Sequence, residues 1–127
     1  MSLRRLKSPR GNKYGAKKVR IDGHTFDSEK EAGRYLRLRT LERAGLISGL
    51  EVHPVFKIVI EGRPLLIKSG HYRNGRAARY TADFRYVDCD GRTVVEDVKS
   101  RITAAKPDYK LRKALVEHLY GITVREV

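Results

Sequence analysis

Residues 79–99, RYTADFRYVDCDGRTVVEDVK, contain the clearest structural signal in the chain. Runs of aromatic and β-branched residues lie on either side of the pair Asp90-Gly91, which is typical of two strands joined by a tight turn. Asp83 and Asp97 each lie seven residues from Asp90, one before it and one after it. If the chain folds back at this pair, the two carboxylates lie nearly opposite each other, with a register that depends on the turn. We therefore predict an antiparallel hairpin of two strands, 79–87 and 92–99, that carries two facing acids.

The two faces of this hairpin differ in chemistry. Side chains alternate along a strand, so Asp97 and Lys99 share a face, whereas Glu96 points the other way. Facing carboxylates repel unless they share a proton or a cation lies between them, and Mg²⁺ accepts carboxylates together with phosphate oxygens. A lysine beside such an ion can orient or activate an attacking water. The opposite face of the first strand predicts core, with Tyr80, Ala82, Phe84 and Tyr86. A hairpin with charged residues on a solvent face explains the same spacing without chemistry.

A third carboxylate, Glu31, lies in a predicted helix that follows Asp27-Ser28 and runs to about Ala44. Ser28 to Glu31 match the Ser-x-x-Glu capping box, in which the glutamate serves only the backbone. Glu31 also shares a stripe with Tyr35 and Leu38, at the i, i+4, i+7 spacing of a face that packs on a sheet. Spacing leaves Glu31 open between helix cap and metal ligand. Ser28 is open between helix cap, the favoured reading, and active-site hydroxyl.

The charge of the chain indicates a polyanionic partner. Lys and Arg number 28 against 15 Asp and Glu, a net charge of +13 on 127 residues. Nucleic acid is the expected partner, because each neutralised phosphate releases counterions. An anionic membrane surface would call for a basic amphipathic helix with aromatic anchors, and the chain offers no clear candidate. The predicted DNA contacts are Arg4, Arg5, Lys7, Arg10, Lys13, Lys17, Lys18, Arg73, Arg76 and Arg79.

The length predicts one domain, with a flexible basic arm at residues 1–13 and a single folded domain at 14–127. The remaining predicted elements are a hairpin at 18–26 that turns at Asp22-Gly23, a strand at 52–60, a helix at 107–120 that begins with Pro107, and a strand at 122–127. Residues 62–78 are open between a hairpin extension and a flexible loop. This order predicts an α/β fold with a mixed, mostly antiparallel central sheet flanked by helices.

Several residue types give little functional information. The single cysteine, Cys89, excludes an internal disulfide, and no apolar run approaches the roughly 20 residues of a membrane span. We therefore expect a cytoplasmic protein. The histidines lack the spacing of metal ligands and are interpreted as structural: His24, His53, His71 and His118.

At these residues the chain resembles the PD-(D/E)XK nuclease superfamily, and within it the small Holliday-junction resolvases of archaeal and phage type. The resemblance covers nearly the whole chain from about residue 12. Its motifs in chain order are NKYGAKK at 12–18, FDSxxE at 26–31, YTADF at 80–84, VEDVK at 95–99 and YGI at 120–122. Ala82 stands where the family usually has proline, and Asp97 occupies its Asp/Glu position. Residues 62–78 have no counterpart that we can match.

The resemblance implies a restriction-endonuclease-like core and makes 14–127 a nuclease domain. It implies Glu31, Asp83 and Asp97 as catalytic metal ligands for Mg²⁺, with Mn²⁺ as a substitute, and Lys99 as a fourth catalytic residue. It also implies a homodimer that resolves four-way DNA junctions by symmetric paired nicks, in the cytoplasm of a bacterial host if phage-encoded. Two alternatives stay open. One is the same chemistry on flap, nicked or other branched DNA, and the other is a non-catalytic nucleic-acid-binding protein.

Overall fold

The computed structural model describes residues 17–127. The predicted arm at 1–13 lies outside the described residues, together with the predicted contacts Arg4, Arg5, Lys7, Arg10 and Lys13. Over the described part the elements are, in chain order, β1 (Val19–Ile21), β2 (His24–Phe26), α1 (Glu29–Arg43), β3 (Ser48–Val52), β4 (Val55–Lys57), β5 (Val59–Ile60), β6 (Arg63–Pro64), β7 (Leu66–Ser69), β8 (Tyr72–Ala77), β9 (Arg79–Thr81), β10 (Phe84–Val87), β11 (Thr93–Asp97), α2 (Arg101–Ala104), α3 (Pro107–Tyr120) and β12 (Val124–Glu126).

The fold is mixed α/β, with a four-stranded mixed sheet in the order β12-β11-β10-β3. Strand β10 runs antiparallel to β3 and β11, and β12 runs parallel to β11. Phe84 pairs with Glu96 and Val87 with Thr93, which is the register that equal spacing from Asp90 predicts. The turn is closed by the backbone N–H of Asp88, which donates to the carbonyl of Arg92 at 2.8 Å. The predicted hairpin is therefore confirmed.

Two apolar clusters cover the two faces of this sheet. Helix α1 contributes to the first cluster, whose buried members are Phe26, Ala32, Tyr35, Leu38, Ile47, Phe84, Tyr86 and Val94. Helix α3 contributes to the second, whose buried members are Phe56, Ile58, Ala78, Tyr80, Ala82, Val95, Tyr109, Val116 and Val124. The stripe Glu31, Tyr35, Leu38 is buried as predicted. Burial of these side chains stabilises the fold at about 25 cal/mol for each Å² of apolar surface removed from water.

The predicted strands 52–60 and 79–87 are each wrong as single strands. The first is interrupted at His53-Pro54 and the second at Ala82-Asp83. Beyond these breaks β4 and β9 pair with each other, in a sheet separate from the central one. Consequently Tyr80 and Ala82 lie in the α3 cluster while Phe84 and Tyr86 lie in the α1 cluster, although all four were expected on one face.

Residues 62–78 form a hairpin extension, the first of the two alternatives. Strands β5 and β6 pair briefly, and β7 and β8 then pair from Leu66–Ala77 to Ser69–Tyr72. Nearly every side chain of β7 and β8 is exposed, so this extension stands out from the rest of the fold. Between residues 17 and 127 no helix is both long and apolar enough to cross a membrane.

Candidate functional site

The two predicted strand carboxylates meet across the β10–β11 hairpin. The backbone N–H of Asp83 donates to Asp97 Oδ1 at 3.0 Å, and the backbone N–H of Val98 donates to Asp83 Oδ2 at 2.6 Å. Each carboxylate therefore accepts a hydrogen bond from the opposite strand. This exchange follows from the register, because residues 83 and 97 sit directly beyond the pair Phe84–Glu96.

Asp97 is fully buried at the end of β11. Its Oδ2 accepts a hydrogen bond from the hydroxyl of Tyr80, and its Oδ1 lies 3.7 Å from Lys99 Nζ. Burial raises the pKa of Asp97 to about 6, and the nearby Lys99 ammonium opposes that rise. The Lys99 ammonium also lies 5.2 Å from the centre of the Tyr109 ring, a cation–π separation. Asp97 and Lys99 are thus held together as a positioned acid–ammonium pair.

Asp83 and Glu31 lie on the α1 side of the same site. Burial raises the pKa of Asp83 to about 7, and the neighbouring Glu31 carboxylate raises it further. Glu31 is only 5% exposed. Its Oε1 accepts from the backbone N–H of Asp27 at 3.0 Å, and its Oε2 lies 2.9 Å from His53 Nε2. One oxygen of Glu31 therefore serves the start of the helix while the other faces the site.

Ser28 is the N-cap of α1. Its Oγ accepts a hydrogen bond from the backbone N–H of Glu31 at 3.1 Å. A full capping box would return the Glu31 side chain to the N–H of Ser28, whereas here it reaches the N–H of Asp27. Ser28 therefore caps the helix, as predicted. The hydrogen bond accepted by the Glu31 side chain comes from one residue earlier than in a full capping box.

His53 joins the site although no sequence pattern indicated it. Glu31, His53 and Asp83 each offer a ligand atom, and these atoms lie within 4.8 Å of one another. Within residues 17–127 this group of three contains His53 rather than Asp97. His53 directly follows β3, and its backbone N–H donates to the carbonyl of Asp83 at 2.9 Å. Pairing of β3 with β10 brings it here, so no spacing along the chain could have found it.

A cleft of about 460 Å³ opens beside Lys99, between β7–β9 and the start of α3. The charged side chains that line it are Arg76, Arg79, Lys99, Arg112 and Asp108. Two of the predicted DNA contacts, Arg76 and Arg79, therefore lie next to the candidate site. Arg73 is exposed on β8, away from this lining, and Arg112 was not predicted.

The remaining predicted contacts within the described residues lie directly before β1. Lys17 and Lys18 are exposed. Lys18 Nζ lies 3.4 Å from Asp27 Oδ1, one residue before the helix cap. Both groups of this ion pair are well exposed, so the pair contributes little to stability.

The sequence model of the family described as "Protein of unknown function (DUF1064)" matches residues 11–125. The chain belongs to this family. The match includes Glu31, Asp83, Asp97 and Lys99 as well as His53. None of the curated proteins and none of the solved structures matches the chain. The chemistry of this DUF1064 member is therefore inferred from the geometry of its site.

That geometry differs from an ordinary buried ion pair, as the neighbouring Glu96 shows. Glu96 is also fully buried, but Arg34 donates to both of its oxygens, at 2.7 and 2.6 Å. Among the described residues of this DUF1064 chain, no Lys or Arg lies within ion-pair distance of Glu31 or Asp83. Carboxylates gathered in a buried setting without such partners are suited to holding a cation.

Proposed function

We propose that this chain is a metal-dependent DNA endonuclease of the PD-(D/E)XK type, with a restriction-endonuclease-like core. Its proposed substrate is the four-way DNA junction, which a homodimer would resolve by symmetric paired nicks. The observation that carries the proposal is the pair of facing carboxylates Asp83 and Asp97 with Lys99 beside them. A protein that only bound nucleic acid would have no use for acids gathered next to its cationic cleft.

The donor set fits a hard divalent cation. Carboxylate oxygens from Glu31, Asp83 and Asp97 are the ligands that Mg²⁺ and Mn²⁺ accept alongside phosphate oxygens. Burial raises the pKa of Asp83 and Asp97, so these groups hold protons more readily than exposed acids. A bound cation would replace those protons and remove the repulsion between the carboxylates.

The proposed roles of the individual residues follow from their contacts. Glu31, Asp83 and Asp97 would hold Mg²⁺, which would supply a Lewis acid for the phosphate and lower the pKa of a bound water. Lys99 would orient that water or stabilise charge on the phosphate, because its ammonium lies 3.7 Å from Asp97 Oδ1 and lines the adjoining cleft. Tyr80 holds the Asp97 carboxylate through its hydroxyl. Tyr109 holds the Lys99 ammonium over its ring.

The cleft beside Lys99 supports the proposal that the substrate is a phosphodiester. Arg76, Arg79 and Arg112 line it against a single acid, Asp108. Cations in such a groove contact backbone phosphates, which sets the position of the strand without reading its bases. Recognition would then depend on DNA shape. A two-fold dimer suits a four-way junction, since matching symmetry places one site on each of two opposed strands.

The test uses a labelled four-way junction, a linear duplex of matching sequence, and flap and nicked duplexes, each with Mg²⁺, with Mn²⁺ or with EDTA. The variants are the wild type, Asp97→Asn and Asp90→Asn. Asp90→Asn is the matched control, because it removes the same charge from the exposed turn of the same hairpin and creates an Asn-Gly pair that suits the turn.

We expect paired, symmetric nicks in the junction alone, lost in EDTA and in Asp97→Asn but kept in Asp90→Asn, while Asp97→Asn still binds DNA. Equal cutting of both substrates would keep the nuclease and reject the junction assignment. Cutting of flap or nicked substrates alone would move the activity to another branched DNA. Tight binding without cleavage under either metal would reject the enzyme and leave a nucleic-acid-binding protein.

A further inference from the structure

We propose that His53 is a metal ligand, together with Glu31 and Asp83, and that its imidazole makes the site prefer Mn²⁺ to Mg²⁺. This inference deepens the proposed function and rests on it for the role of the metal. It adds a nitrogen donor to a site that the sequence predicts as all oxygen. The observation that carries it is the convergence of three ligand atoms within 4.8 Å, one of them on an imidazole.

The separation suits an ion. His53 Nε2 lies 2.9 Å from Glu31 Oε2, a spacing normal for two neighbouring ligands of one metal. Ligand atoms that lie about 2.1 Å from an ion are at most about 4.2 Å apart, even when they lie on opposite sides of it. The three ligand atoms lie within 4.8 Å of one another, so shifts of less than about 1 Å would bring them all into contact with one ion.

The backbone directs the His53 side chain into the site. His53 has a φ of 56°, in the left-handed region that non-glycine residues rarely adopt. Its N–H is bonded to the carbonyl of Asp83, and its ring lies 5.8 Å from the ring of Phe26. Such strained conformations concentrate at ligand sites, where the surrounding structure maintains them. The side chain is 36% exposed, so an ion from solvent can reach it.

Donor chemistry then sets the choice of ion. Mg²⁺ favours oxygen ligands and gives up its waters reluctantly, so an imidazole contributes little to binding it. Imidazole nitrogen suits first-row transition ions better, and affinity for them rises from Mn²⁺ towards later members of the series. A ligand set that combines carboxylates with one imidazole is therefore expected to bind Mn²⁺ more tightly than Mg²⁺.

The rival account is that His53 and Glu31 form a purely structural hydrogen bond. Substitution of His53 by Asn separates the two. Asn tolerates the left-handed backbone better than most residues, and its shorter side chain removes the imidazole nitrogen. His118→Gln is the matched control, because His118 is exposed on α3 and Gln is a good helix former.

The experiment measures Mn²⁺ binding to the folded chain by electron paramagnetic resonance, with Mg²⁺ as competitor and no DNA present. Pulsed measurements on the same samples detect coupling of bound Mn²⁺ to nitrogen. We expect nitrogen coupling in the wild type and in His118→Gln, and its loss in His53→Asn. Mn²⁺ affinity should fall about tenfold or more in His53→Asn, while Mg²⁺ affinity changes less.

Wild-type protein whose bound Mn²⁺ shows no nitrogen coupling would overturn the proposal, whether or not His53→Asn folds. Unchanged Mn²⁺ affinity in a folded His53→Asn would also overturn it. Nitrogen-ligated Mn²⁺ in a protein that cuts no DNA would retain this metal site and reject the nuclease. Cleavage of DNA by a protein without nitrogen coupling would do the reverse.

Discussion

Replacing Arg34 by Met tests how the helix that carries Glu31 is attached to the strand that carries Asp97. Arg34 of α1 donates two hydrogen bonds to Glu96 of β11, at 2.7 and 2.6 Å. The Tyr86 hydroxyl also donates to Glu96, and Arg125 lies 3.9 Å from it. Glu96 is fully buried, whereas the Arg34 side chain is 29% exposed. The substitution keeps most of the apolar stem and removes the charge.

The expected loss follows from the burial of Glu96. Removing one partner of a buried ion pair costs about 3–5 kcal/mol, because the other charge is left uncompensated. Here Tyr86 and Arg125 stay in place, and water can enter where Arg34 was exposed. We therefore expect Arg34→Met to lower the free energy of unfolding by about 2–4 kcal/mol at pH 7. Arg37 lies about one turn further along α1 and is exposed, so Arg37→Met should change the free energy of unfolding by less than about 0.5 kcal/mol.

The same substitution should change the pH dependence of stability. Burial by itself raises the pKa of Glu96, but hydrogen bonds from Arg34 and Tyr86 hold it below its usual value. A lowered pKa contributes stability above the unfolded pKa of about 4.3, and that contribution disappears as the pH falls through the folded pKa. In Arg34→Met burial prevails and the pKa of Glu96 rises, so acid relieves the buried charge. The difference between variant and wild type should shrink from pH 7 to pH 4.

Urea unfolding followed by circular dichroism measures both effects. Adding Glu96→Leu to Arg34→Met should recover most of the loss, since a well-packed apolar pair can replace a buried ion pair at little cost. A loss below about 1 kcal/mol at pH 7, or a loss that does not change with pH, would refute the reasoning. The first result would mean that the pair adds nothing beyond a surface contact, and the second that Glu96 is not the group responsible.

Three further predictions concern the site and its surroundings. Because burial raises the pKa of Asp83 to about 7 and that of Asp97 to about 6, metal-free protein should lose stability as pH rises from about 4 to 7. Calorimetry in EDTA checks this, and an equal decline in Asp83→Asn would contradict the assignment to Asp83. Arg76→Gln and Arg79→Gln should weaken binding to all DNA substrates alike, each reducing the salt slope by about 1 in a titration of affinity against salt. Ser28→Ala should cost about 1 kcal/mol in urea unfolding by loss of the helix cap. If its hydroxyl serves only as a cap, single-turnover cleavage by Ser28→Ala should stay near the wild-type rate, whereas a large drop would favour the active-site hydroxyl.

Local patterns in the sequence were sufficient for most of the secondary structure. Asp22-Gly23 and Asp90-Gly91 predict turns, and both hairpins form. Strand β1 pairs antiparallel with β2, and β10 pairs antiparallel with β11. Ser28 predicts the start of α1, and Pro107 that of α3. These signals work because turns and helix ends depend on the conformations of a few consecutive residues. Equal spacing from Asp90 predicted even the facing carboxylates, since register in a tight hairpin follows from its turn.

Local patterns could not predict the breaks in the long strands or the position of His53 in the site. The two predicted strands 52–60 and 79–87 are interrupted where β4 and β9 leave the central sheet. There β4 and β9 pair with each other, although they are more than twenty residues apart in the chain. Alternation of side chains predicts one continuous face, and only the bend divides Tyr80 from Phe84 between two cores. His53 reaches Glu31 and Asp83 through the pairing of β3 with β10. Long-range pairing is selected by how whole elements pack together, and a local pattern does not contain that information.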